Sequence, residues 1–302
     1  MNRIHGVLAA LPLALACHAH AAAPAELIGP QTISTAFHDF AASVTPDGRS
    51  LLFTRTDSGF TRMTLMQSSL RDGQWQAAAV LPFSGKWNDG DGVLSPDGQR
   101  YIFISNRPAS GAQAKADLDL WEVEKMANGA WGEPRRLPDT INSSVNEIYP
   151  SLAGDGTLYF GRAGAENQLF RSRLAGGVWQ APELLPVSGV SFAIAPDQSF
   201  AIVGMMDAGR NLDLYRVLRQ GQAWSKPVRL GGAVNTPLLE YASSITPDGR
   251  SLLFSSTRRE GSVSWPRQQT VTNAAQVADE LNGAVFNGSR NVYSVPINGM
   301  ME

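Results

Sequence analysis

Four carboxylates recur at one position of a repeating pattern. Asp39, Asp89, Glu147 and Glu240 each stand six residues before the residue that precedes a Pro-Asp-Gly turn or its variant. The fifth copy has Gly189 at that position. Arginines follow the same turns at Arg55, Arg107, Arg162 and Arg258, where the fifth copy has Met205 and Met206. This pattern is open to three kinds of chemistry. Each acid can pair with an arginine and cap backbone N–H groups, which maintains the repeat. Alternatively the acids, with Arg107 and Arg258, bind a basic segment of a partner, a metal ion or a polar ligand. Finally, Asp39, Asp89 and Glu147 can act as the acid and the base or nucleophile of glycoside cleavage, which needs two carboxyls at a set separation.

Other catalytic constellations are poorly served. No G-x-S-x-G elbow occurs, and His38 is the sole histidine beyond the first twenty residues, so a Ser-His-Asp arrangement has little to draw on. Clustered His or Cys ligands for zinc are lacking. Asp89-Gly90-Asp91 only hints at calcium, without a D-x-D-x-D loop. Asp117, Asp119 and Asp213 introduce strands and read as turn caps. Neither a cofactor nor a metal is expected.

The elements that must position these residues are written as repeats. TPDGRSLLFTR (45–55) and TPDGRSLLFSSTR (246–258) are near-identical, and weaker copies lie at 95–107, 153–162 and 195–206. Aligning Asp47, Asp97, Asp155, Asp197 and Asp248 gives spacings of 50, 58, 42 and 51 residues, the period of β-propeller blades. Within each copy an apolar strand runs into the Asp-Gly turn, a second strand leaves it, and a third follows at 64–70, 119–125, 168–174, 213–219 or 291–297. A turn ending in Trp comes next (Trp75, Trp131, Trp179, Trp224), with Leu81, Leu137, Leu185 and Leu230 six residues on. That segment predicts an outer edge strand, and the Trp side chains should pack between blades.

The last copy stops short of its outer strand, and Pro24 and Leu27 carry the spacing of Pro134 and Leu137. The expectation is an all-β, five-bladed β-propeller of four-stranded blades, with 24–29 completing the C-terminal blade and so removing the open edge. An insertion at 259–290 interrupts the last blade, and 274–281 could form a short helix within it. A smaller insertion, 108–116, occupies the same place in blade two. Because the second strand returns to the face where the first begins, the acids, arginines and insertions should gather at one mouth of the channel.

The pattern N-T-x-x-x-E…P-D-G-R-x-L-x-F-S-S-x-R at 235–258, INSSVNEIYPSLAGDGTLYF at 141–160 and the G-x-W-x-x-P-x-x-L linkers resemble the TolB-type, WD40-like β-propeller repeat of exported bacterial proteins. The resemblance covers nearly all of the chain after residue 21. Five repeats stand here, where TolB-type propellers often have six, and the companion domain of that type is lacking. It implies a non-enzymatic binding scaffold of the cell envelope, with another envelope protein or a polar ligand at the acidic mouth. The alternative is a carbohydrate-active enzyme of the five-bladed glycosidase type.

Residues 1–21 read as a secretory signal: Arg3, an apolar run from Val7 to Ala16, and Ala19-His20-Ala21 before the cut. The domain then covers 22–302. Cleavage removes Cys17, the only cysteine, and is favoured over lipidation of Cys17. A periplasmic or secreted monomer is expected. A balance of 25 basic and 27 acidic residues argues against nucleic acid as partner, and no later stretch has the length and apolarity of a transmembrane helix.

Overall fold

The computed structural model describes residues 23–207, 209, 211–258, 273–276, 288–298 and 300. Residues 1–21, expected to be a secretory signal and including Cys17, and most of the 259–290 insertion lie outside them. Of the helix expected over 274–281, residues 274–276 are helical, and the rest lies outside the described residues.

Five antiparallel sheets make five blades. Their inner strands are His38–Val44, Asp89–Leu94, Asn146–Leu152, Ser191–Ile194 and Glu240–Ile245. The second strands are Ser50–Thr56, Arg100–Ser105, Leu158–Ala163, Phe200–Met206 and Ser251–Ser256. The Pro-Asp-Gly turns join the two as expected. In the first, Thr45 Oγ1 and the Arg49 N–H both donate to Asp47, and Gly48 adopts a φ of 68°. Gln198 holds this left-handed position in blade four at 60°. Its side chain accepts from Tyr159 and donates to Asp155, both at 2.8 Å, which offsets the strain a non-glycine residue meets there.

The ring closes as the sequence predicts. Glu26–Leu27 pairs antiparallel with Asn291–Pro296, Glu26 opposite Ser294 and Leu27 opposite Tyr293. The outer strands are more broken than expected. In blade one, Gln74–Trp75 and Ala79–Val80 each pair with Thr64–Arg71 as separate two-residue pieces. Proline accompanies this break in other blades, but Ala78 holds that place here, so proline is not its sole cause.

The core lies between blades. Phe53, Phe103, Phe160 and Phe254 on the second strands are fully buried, as are Leu81 and Leu137. Complete burial of each such side chain contributes about 1.5–3 kcal/mol. Trp179 packs with Leu158 and Phe160 of its own blade and Ile102 and Leu120 of the one before, and Trp131 meets Phe83 edge-on with ring centres 6.0 Å apart. The repeating tryptophans are therefore interblade packing groups. The inner strands are also stitched by hydroxyls: Ser43 accepts from Leu94 N, Ser151 from Ile194 N, and Ser244 donates to Ala42 O.

Four inner strands contain a β-bulge, between Phe40 and Ser43, Gly90 and Val93, Ile148 and Ser151, and Tyr241 and Ser244. Ala41, Asp91, Tyr149 and Ala242 take the positive φ, near 50° in each case. A bulge adds one residue and bends the strand. Blade four has an unbroken register from Ser191 opposite Gly204 to Ile194 opposite Ala201.

Candidate functional site

The acids sit where the inner strands begin, at one mouth of the channel, and all four are fully buried. Each is taken up by the arginine of its own blade. Arg55 Nε lies 2.6 Å from Asp39, Arg107 2.7 Å from Asp89, Arg162 3.2 Å from Glu147 and Arg258 3.6 Å from Glu240. A hydroxyl four or five residues upstream donates to the same carboxylate: Thr35, Ser84, Ser143 and Thr236. The guanidinium also donates to linker carbonyls, Arg55 to those of Thr32 and Ile33, Arg107 to Phe83, Arg162 to Ile141, and Arg258 to Ala233 and Val234. Acid and arginine together latch the linker from the preceding blade onto the start of the inner strand.

The motif N-[ST]-x-x-x-E now has a physical meaning. Asn142 and Asn235 accept from the third strand at Leu120 N and Leu214 N, and donate to carbonyls of that strand and of the linker. The next residue, Ser143 or Thr236, caps the acid with its N–H and its hydroxyl.

The latch has two forms. In blades one and three the arginine stands directly opposite the acid, Asp39 against Arg55 and Glu147 against Arg162, and remains about a fifth exposed. In blades two and five a serine stands opposite, Ser105 or Ser256, and donates to the acid, while the arginine lies two residues on. Arg107 and Arg258 are thereby buried. Each guanidinium also lies over a second-strand aromatic ring, 4.9–5.6 Å from its centre, a favourable cation–π arrangement.

Burial outweighs pairing in setting the proton affinity. It pushes the Asp39 carboxyl up to about 6 against the opposing pull of Arg55, and raises Glu147 and Glu240 as well. His38 next to the latch is lowered by burial and by Arg290. Its Nδ1 accepts the Arg290 N–H at 3.0 Å, and its ring stacks on Phe60 with centres 5.3 Å apart.

Along the channel axis there is a cavity of about 20 Å³, lined by bulge residues Ala41, Asp91, Tyr149 and Ala242 together with Ser191 and Ser243. That is about the room one water needs. Asp91 is buried and pushed up to about 7 by desolvation, against a hydrogen bond from the Tyr149 N–H and the field of Arg290. Of the Asp89-Gly90-Asp91 hint, Asp89 belongs to the latch and Asp91 to the axis. Asp119 and Asp213 also form ion pairs, with Arg136 and Arg229 at 2.7 Å, and Asp117 lies 3.1 Å from Lys115. Among the described residues no three His, Cys, Asp or Glu side chains group as metal ligands, and no helix is long and apolar enough to cross a membrane.

Apolar side chains stand around the latches. Phe37, Val145 and Leu238, each two residues before an acid, are 57%, 38% and 40% exposed. Trp87 holds the same position in blade two, and Met206, where blade four lacks its arginine, is 56% exposed. Their constant offset from the acids is visible in the sequence, but polarity drew attention to the acids instead.

No family model matches the chain, and no curated protein does. Similar solved structures are propellers. A putative TolB from Agrobacterium tumefaciens is 15% identical, with 73% of this chain and 69% of that one covered at a TM-score of 0.49. TolB from Acinetobacter baumannii is 18% identical over 63% of this chain at a TM-score of 0.43, and the match spans only 44% of its length. The periplasmic gluconolactonase of Pseudomonas aeruginosa is 16% identical, covering 71% and 64% of the two chains at a TM-score of 0.45. The five-bladed propeller rests on the chain's own sheet order, and these likenesses add nothing on function.

Proposed function

We propose that the protein is an exported binding scaffold of the cell envelope, without catalytic activity, which engages a partner protein through the channel-mouth face. The observation that carries this reading is the division of that face into sealed and open groups. All four acids, with Arg107 and Arg258, are buried and paired, so their role in the proposal is to hold the rim rigid. The exposed groups around them are Phe37, Val145, Leu238 and Met206, apolar side chains grouped on one face of the kind that a partner would cover. The resemblance of the repeats to exported TolB-type propellers supports envelope localisation and removal of residues 1–21.

The glycosidase alternative requires Asp39, Asp89 and Glu147 to be free around a substrate-sized pocket. Their burial, their ion pairs and the narrow axial cavity weigh against it. Crosslinked pull-down from the native envelope, with a glycan-hydrolysis screen beside it, tests both. Replacing Phe37, Val145 and Leu238 together by Ser should abolish recovery of a specific partner and leave the melting temperature near that of the wild type. Glycan hydrolysis that disappears in Asp89→Asn would sink the proposal.

A further inference from the structure

We propose that the cleft between blades one and two on the mouth face binds a carboxylate-bearing sugar. The cleft measures about 480 Å³ and is lined by Thr61, Arg62, Lys86, Trp87, Asn88 and Asn106, among others. It is a shallow groove open to solvent, which suits weak binding of a small polar ligand.

The hydrogen-bonding inventory of the lining is one-sided. Asn88 Oδ1 already accepts the Met63 N–H at 3.1 Å, and Asn106 Oδ1 accepts the Asn88 N–H at 2.9 Å. These bonds fix the orientation of both amides, so what each has left to offer is its Nδ2 donor. The Thr61 hydroxyl donates to Asp57, which also accepts the Thr61 N–H at 2.8 Å. That carboxylate is folded into its own loop. Arg62 and Lys86 make no ion pair among the described residues, and Lys86 Nζ lies 5.0 Å from the centre of the Trp87 ring. Lys115, on the neighbouring loop, is held by Asp117 and Asp119. The cleft therefore presents two cations and two amide donors, with no carboxylate among the lining residues.

Such a surface selects a ligand rich in acceptors and negatively charged, because charge-assisted hydrogen bonds to a carboxylate are the strongest that Arg and Lys make. Trp87 adds a flat apolar body with one polar edge. A sugar ring supplies hydroxyl oxygens for Asn88 and Asn106, C–H groups for the indole and, in a uronic acid, one carboxylate for Arg62 and Lys86. Trp87 is shared with the apolar rim, but Arg62, Lys86, Asn88 and Asn106 are not, so a preference for the carboxylate is read independently of the docking role.

Calorimetric titration with glucuronate and glucose tests it, because the two differ only in the carboxylate. Glucuronate should bind and glucose should bind at least about tenfold more weakly, the equivalent of one charge-assisted contact. Arg62→Ala with Lys86→Ala should erase that preference without moving the melting temperature, since both side chains are exposed. Added salt should weaken glucuronate and spare glucose. Equal affinity for the two sugars, no binding of glucuronate in the millimolar range, or binding unchanged in the double variant overturns the proposal. If inorganic phosphate binds as well as glucuronate and Trp87→Ala alters neither, the cleft takes a bare anion and the sugar assignment falls. The Phe37, Val145 and Leu238 variant should retain glucuronate binding whatever becomes of the docking role.

Discussion

Blade four and the other four blades solve the same problem differently. Blades one, two, three and five begin their inner strands with a buried acid, return an arginine to it and bulge two residues later. Blade four has Gly189, no arginine and no bulge. A Cβ on Gly189 would lie 2.6 Å from Val203 Cγ1 and 3.0 Å from the Gly204 carbonyl oxygen. Val203 and Gly204 of the second strand fill the space that an acid would need. Acid, arginine and bulge therefore stand or fall together: the bulge shifts the strand so that the carboxylate can face its partner, and without it there is no room for the pair. The buried acids act as joints of the ring, and the blade that lost one keeps ordinary strand register in exchange.

Three perturbations test that contrast. The largest effect should come from Glu240→Ala, which leaves Arg258 buried with linker carbonyls and no counter-charge. Breaking a buried pair from one side costs roughly 3–5 kcal/mol, measurable by chemical denaturation. A loss below about 1 kcal/mol would make the latch an ornament of the repeat, with the bulge standing without it.

Next is Asp91→Asn at the bulge of blade two, where the amide oxygen can still accept the Tyr149 N–H. The folded-state pKa of Asp91 is raised to about 7, so the native protein binds more protons than the unfolded chain between the ordinary carboxylate range and that value. The wild type should therefore lose stability as pH rises through this window and level off above it. Between pH 5 and 8 the loss from this one group is about 3 kcal/mol, two pKa units at roughly 1.4 kcal/mol each. The variant should lack that slope, so its melting temperature should gain on that of the wild type as pH rises. Parallel pH profiles would show that Asp91 does not titrate in this range.

The smallest effect should be Gly189→Asp, which asks blade four to accept an acid without a bulge. Overpacking of this kind costs about 1–3 kcal/mol. A neutral outcome would show that the straight strand has room for a latch after all, and the coupling of acid to bulge would not hold.

Much of this was legible in residue order. The period of the Asp-Gly turns specified blades, the displaced Pro24–Leu27 spacing specified ring closure, and the repeat position of Glu147 and Glu240 marked them as a set. The two latch forms are written in the spacing as well: Arg55 stands 16 residues after Asp39, whereas Arg107 and Arg258 stand 18 after Asp89 and Glu240, with Ser105 and Ser256 at the 16-residue position. Spacing does not say that the serine donates to the acid while the arginine folds back over it and is buried, because that depends on side-chain packing.

The sequence by itself determined the blade count, the order of strands within a blade, the closing strand and the face on which acids and arginines meet. Local turn chemistry and strand alternation dictate these, and both act over a few residues. Only the tertiary structure decided which groups on that face are available. It sealed Asp39, Asp89, Glu147 and Glu240 against arginines and linkers, and it left Phe37, Val145 and Leu238 exposed. It also brought Arg62 of blade one beside Trp87 and Asn106 of blade two. Exposure and pairing are properties of neighbours distant in sequence, and in a ring of blades those neighbours exist only once the ring has closed.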